Sequence, residues 1–392
     1  MRTKQTASLI SLTTIQIGGA FCLPVIMAGQ MLSQTYGFLN ASLALAIGNG
    51  ILWFCALFIG KLSVHYKQST LELARTLLGP KGAFIGALAL LVPMIGWFSI
   101  TLSFVSQCII TLIPTLPLLI SNALVTLMLI LIIFKGLKGV GILSSLSLPL
   151  LLIATVVALY KIACCGILQS TQENSSVFTA TATVIAIAIG AVVDLPTYYR
   201  FAPSNRIAQI SLALVFLVGL PLIEGLGILI GAFLPGKNLV EVFTSITSNG
   251  GGLLPSLMMI FLAFKGFATN SANLYSAATS LKGLFSSLSF KRAIVIAGAI
   301  GFTLSLLPLI ENLETVLLTL AITTSSLGAL FLTAGMGIHL STKTVLISWG
   351  TGVTVGIATF FSLFTISGES LCDSFFVTML LAKLIPMFKK ER

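Results

Sequence analysis

The stretch from Ala7 to Gln30, ASLISLTTIQIGGAFCLPVIMAGQ, is as long and as apolar as a bilayer-crossing helix, yet it carries Gly18-Gly19 and Pro24 in its interior. Glycine loosens helical backbone, and proline removes an amide donor and clashes with the preceding turn. In hydrocarbon no water replaces the lost hydrogen bonds. Such an interruption therefore persists only where the freed peptide groups line a cavity or meet protein or ligand. The same punctuation returns in VIAIAIGAVVDLP, where Gly190 precedes Pro196 by the same interval that separates Gly18 from Pro24. Interrupted apolar helices at matching positions of two halves mark the midplane binding site of a secondary transporter.

The rest of the chain fits a membrane setting. It has 392 residues, 57% of them hydrophobic and only 8% charged, which leaves too little charge to cover a soluble protein of this size. Apolar runs predict an all-α polytopic membrane protein with about twelve transmembrane helices, near 8–31, 38–60, 83–107, 117–134, 141–163, 177–199, 207–234, 253–281, 293–310, 315–338, 344–366 and 371–388. A polar run, VHYKQST, followed by LELARTLLG, predicts a short interfacial helix between the second and third spans. With the N-terminus cytoplasmic, 18 of the 21 lysines and arginines fall on inside segments and six of the ten acids on outside loops. That asymmetry sets the orientation, with both termini cytoplasmic in a plasma (inner) membrane. No A-x-A pattern closes the first apolar segment, so a removable signal peptide is not expected.

The two interrupted helices are spans 1 and 6, five apart and hence antiparallel. One transmembrane domain over 1–392 is expected, with inverted repeats over about 8–163 and 177–338 and two added helices over 344–388. The net charge of +11 is spread over short loops, which argues against a nucleic-acid groove. Six cysteines show no metal or disulfide spacing, and Gly250-Gly251-Gly252 lacks the Gly-Lys-Ser/Thr that would complete a phosphate loop. Neither histidine has partners for a metal site or a catalytic triad. An enzyme is not expected, nor any cofactor beyond a coupling sodium ion or proton.

Three ionisable residues lie away from the loops: Asp194, Glu224 and Lys265. A charge within the bilayer costs several kcal/mol, so each is a functional candidate. Asp194, close to the inner interface, reads equally as a gate, an ion-pair partner or a helix cap. Glu224 reads as a proton relay or as a hydrogen-bonding partner for a neighbouring helix. Lys265, near mid-depth, reads as a cavity residue that binds substrate or replaces a coupling cation, against a lysine that snorkels or pairs with an acid. Span 8 adds Thr269, Asn270, Ser271 and Asn273, more polar groups than helix association needs. Trp97, in PMIGWFS about halfway through span 3, reads as a stacking face for a planar ligand or as ordinary packing.

QIGGAFCLP in span 1, PMIGWFS in span 3, DLPTYYRFAPSNRIAQ after span 6 and LLPSLMMIFLAFKGFATNSANLYSAATSL in span 8 together resemble cytosine permease and the wider nucleobase–cation symporter family. LTLAITTSSLGALFL in span 10 is similar too, so the resemblance runs over most of the chain. It implies a LeuT-like 5+5 inverted repeat with discontinuous helices 1 and 6, and ion-coupled uptake of cytosine, a purine or a related small heterocycle. It also implies stacking on Trp97, contacts from Gly18, Gly19 and Phe21 at the broken first helix, and a sodium-site hydroxyl at Thr269. The site expected on this basis comprises Gly18, Gly19, Phe21, Trp97, Ile189, Gly190, Lys265, Asn270 and Asn273.

Three positions depart from the family pattern. Lys265 replaces an asparagine, Ala268 replaces a hydroxyl, and Ile189 replaces an aromatic. The first two make sodium at Thr269 doubtful. GGAFCLP also resembles loosely the first helix of aromatic amino-acid carriers, so an amino-acid permease on the same architecture is the alternative.

Overall fold

A computed structural model describes residues 7–20, 22–135, 176–234 and 253–390, with isolated positions between 153 and 164 and at 241–242. The expected fifth span, 141–163, lies largely outside the described residues, as does Phe21.

The first span divides where the glycines and proline stand. Helix α1 runs Leu9–Ala20 and α2 runs Leu23–Tyr36, and the two are bent by 62°. Pro24 lies in the first turn of α2, where its missing amide costs no hydrogen bond. Span 2 is α3, Phe38–Tyr66, which ends at Lys67 in a left-handed conformation. The short α4, Thr70–Leu78, occupies the predicted interfacial segment, and Ser69 and Glu72 cap its start reciprocally. Then come α5, Pro80–Leu112, with Pro93 inside it, and α6, Leu118–Ile133.

The sixth span differs from the expectation. Helix α7, Val177–Val193, runs unbroken through Gly190, and only Asp194 interrupts it before α8, Leu195–Tyr199. Gly190 still accepts the hydrogen bond of the Asp194 amide, at 3.0 Å, and Pro196 sits in the first turn of α8. A lone glycine weakens a helix without breaking it, and the proline has been moved to a harmless position.

Span 7 comprises α9, Asn205–Ala213, a π-turn over Leu214–Gly219, and α10, Leu220–Phe233. It is followed by α11, Leu253–Leu284; α12, Phe290–Leu304; α13, Leu313–Gly335; α14, Thr342–Phe360; and α15, Ser370–Lys390. Among the described residues six helices are long and apolar enough to cross a membrane, or seven when the bent α1–α2 pair counts as one. The protein is thus a multi-pass membrane protein, all-helical among the described residues. Several of the remaining helices are shorter than a crossing needs.

Apolar side chains gain nothing by leaving lipid for protein, so close backbone approach does much of the work of association. The α2–α10 seam illustrates this. A methyl group on Gly29 would strike the backbone carbonyl of Glu224, one on Gly227 that of Ile26, and one on Gly231 that of Gln30. Glu224 itself is buried and accepts from Asn49 Nδ2 of α3 at 2.6 Å, which joins spans 2 and 7 by a polar bond. Overpacking a seam this tight costs at least about 1–3 kcal/mol. Gly227→Val is accordingly expected to lower the Tm of the detergent-solubilised protein strongly. Gly50→Ala, whose new methyl meets nothing within 4 Å, is expected to leave it unchanged or higher.

Candidate functional site

At the break in span 1, the chain leaves α1 with backbone carbonyls pointing out of helical register. Lys265 of α11 answers one of them. Its Nζ donates to the Gly18 carbonyl at 2.6 Å and to Thr269 Oγ1 at 3.2 Å, and the residue is 1% exposed. Lysine and threonine four residues apart lie on one face of a helix, so both reach the same gap. An ammonium and a sodium ion compete for the same oxygens. Here the ammonium already holds the carbonyl and the hydroxyl, and Ala268 offers no second side-chain oxygen. These residues do not fit a sodium ion.

Beside this contact lies a cavity of about 1150 Å³. Gly18, Trp97, Gly190, Thr269 and Asn273 all line it, so five of the positions singled out in sequence border one cavity. Trp97 is half-buried there. Gly96 before it admits Leu320 of α13 to close contact, which fixes α5 against span 10. Asp194 also faces the cavity, and its Oδ1 accepts from Thr70 at 2.6 Å and Thr197 at 2.7 Å.

One end of the cavity reaches Ala7, Ser69, Arg200 and Phe201. There Arg200 pairs with Glu72 at 3.3 Å, Lys67 donates to the Ala202 carbonyl, and the Ala7 amide donates to the Phe201 carbonyl at 2.9 Å. Glu72 is held below the ordinary carboxylate range, chiefly by the Ser69 backbone amide and further by Arg200. Outside the cavity lining, Glu314 Oε1 accepts from Tyr36 at 2.5 Å and Thr183 at 3.0 Å, tying α2, α7 and α13 together. Burial pushes the neighbouring Glu369 above the ordinary carboxylate range, and the charges of Glu314 and Asp373 add to the effect.

A family profile described as "Permease for cytosine/purines, uracil, thiamine, allantoin" matches residues 2–346. The chain belongs to this permease family. It is a transport protein and not an enzyme. No curated protein sequence matches it. Among solved structures it is similar to Mhp1, a nucleobase-cation-symport-1 family transporter, in a closed conformation with bromovinylhydantoin bound. The TM-score is 0.77 at 15% identity, over 99% of this chain and 94% of Mhp1. A Na+-coupled sialic acid symporter in an outward-open state gives 0.71 at 11% identity, over 98% and 91%. MhsT in complex with L-phenylalanine gives 0.64 at 15%, over 98% and 99%. At such identities these likenesses concern the fold alone.

Not every expected site residue of the permease reaches the cavity. Asn270 is fully buried behind the wall, with its Nδ2 on the Phe98 carbonyl at 3.0 Å, and Ile189 is buried outside the lining. A span of mixed polarity does not reveal which side of the helix faces the gap. Gly19 lies in α1, but its surroundings are outside the described residues.

Gln16 was missed. It lines the cavity two residues before Gly18, is 7% exposed, and its Nε2 has no hydrogen-bond partner among the described residues. The signal was present in QIGG, as a lone amide in an apolar segment directly before the glycines. An amide that contacts substrate contributes about 1–1.5 kcal/mol. Gln16→Ala is expected to raise the KM for uptake roughly tenfold without moving the Tm.

Proposed function

We propose that the permease imports a nucleobase or a related small heterocycle by alternating access. In this reading twelve spans form two inverted five-helix repeats, about 8–163 and 177–338, with 344–388 appended; span 1 is discontinuous, and span 6 is interrupted only at Asp194. Both termini lie in the cytoplasm and the chain sits in the plasma membrane. The observation that carries the proposal is the half-buried indole of Trp97 on the wall of a cavity that also presents Gly18, Gly190 and Asn273. A planar heterocycle needs a stacking face together with polar groups at its edge, and this wall offers both. A carrier of amino acids instead needs freed amides to hold a carboxylate and does not need a stacking face.

Base-on-aromatic stacking contributes about 1–3 kcal/mol, so Trp97→Ala is expected to cut nucleobase uptake by roughly ten- to a hundredfold. Competition assays with nucleobases, nucleosides and amino acids in proteoliposomes test the substrate class. Inhibition by amino acids alone would move the reading to the amino-acid permease.

Coupling follows from Lys265. We infer that its ammonium takes the place of the sodium ion that couples related carriers, so that uptake is indifferent to external sodium. Lys265→Asn, which frees the Gly18 carbonyl and the Thr269 hydroxyl, is expected to create sodium-stimulated uptake. Strong sodium stimulation of the unmodified permease would overturn this.

A further inference from the structure

Asn270 is fully buried, and both polar atoms of its amide are engaged. Its Nδ2 donates to the Phe98 carbonyl at 3.0 Å, and its Oδ1 accepts from Asn273 Nδ2 at 3.4 Å. The two ends of an asparagine amide are easily interchanged, but here the partners decide. A backbone carbonyl only accepts, so the Asn270 atom that faces Phe98 has to be the nitrogen. The atom facing Asn273 is then an oxygen, which also only accepts, so Asn273 has to turn its own nitrogen inward.

The series of obligations begins on main chain one residue after Trp97 and ends on an amide in the cavity wall. Its last member has spent one N–H. Asn273 lines the cavity, and its Oδ1, its one side-chain acceptor, has no hydrogen-bond partner among the described residues.

We propose that Asn270 is a positioning residue that sets the polarity of the recognition edge. It fixes Asn273 with its acceptor free, and the transported heterocycle must therefore present an N–H donor there. The substrate class narrows to planar rings with a donor-bearing edge, and a ring methylated at that nitrogen is refused. This inference rests on reading the cavity as a nucleobase site. Nothing smaller than asparagine reaches both partners, and aspartate cannot donate to the Phe98 carbonyl.

The test uses the full-length permease in detergent, with Trp53→Phe and Trp349→Phe so that Trp97 is the only fluorophore of its kind. Quenching is titrated with cytosine, uracil and hypoxanthine, and with the same bases methylated singly at each ring N–H. The parent bases are expected to bind at least about tenfold more tightly than the derivative methylated at the reading position. Asn270→Ala is expected to erase that preference while both ligands still quench Trp97. A steric cause for the preference would survive the substitution.

Asn273→Asp, which keeps an acceptor, is expected to weaken binding but retain the preference, whereas Asn273→Leu loses it. These two variants decide the matter if Asn270→Ala does not fold. A preference that persists in Asn270→Ala or Asn273→Leu, or quenching blind to methylation at every position, overturns the relay alone. Absence of quenching by any base overturns the nucleobase reading and this inference with it.

Discussion

A carbonyl freed inside a membrane has to find a donor, and most of the permease's architecture can be traced from the one at Gly18. Gly18-Gly19 and Pro24 open the first span, and in hydrocarbon an unmet peptide group costs several kcal/mol. Lys265 of α11 meets it at 2.6 Å. The lysine is under the same constraint, since an ammonium 1% exposed is sustained only by acceptors, and it has Gly18 and Thr269. Each defect resolves the other. The bend between α1 and α2 and the cation on α11 are therefore best regarded as one feature, and it fixes span 8 against span 1 beside the cavity.

Around that point the helices are held by two devices that do not depend on burying apolar surface. Small residues let backbones touch, as Gly29, Gly227 and Gly231 do between α2 and α10. Single polar bonds join helices at depth, as between Asn49 and Glu224 or between Asn270 and the Phe98 carbonyl. The first device brings α2 and span 7 into backbone contact along their seam. The second ties helices at single points.

The cavity lies between regions of different character. Toward Tyr36, Thr183 and Glu314 three helices share one carboxylate oxygen. Toward Ala7, Ser69 and Arg200 the cavity wall runs out to the ends of helices, crossed by the Arg200–Glu72 pair and by hydrogen bonds to main chain. An exposed pair such as Arg200–Glu72 contributes little, about 0–1 kcal/mol. A half-buried hydrogen bond to a carboxylate, as at Glu314, contributes more, up to about 1.5–3 kcal/mol. The two regions are thus held by interactions of unequal strength.

The sequence by itself determined that the chain lies in a membrane, where most of its helices run, that the first span is interrupted, and that Gly18, Trp97, Gly190, Thr269 and Asn273 are worth watching. These follow from hydropathy and from the rules of glycine and proline, which act over a few residues. Only the tertiary structure decided that Gly190 stays helical, that Gln16 lines the cavity, and that Asn270 bonds the Phe98 carbonyl of span 3. It also decided where Lys265 spends its charge, on a carbonyl 247 positions away in the chain. Which face of a helix meets the gap depends on its rotation about its own axis. In a membrane that rotation is set by neighbours, because lipid is as good a solvent for one apolar face as for another.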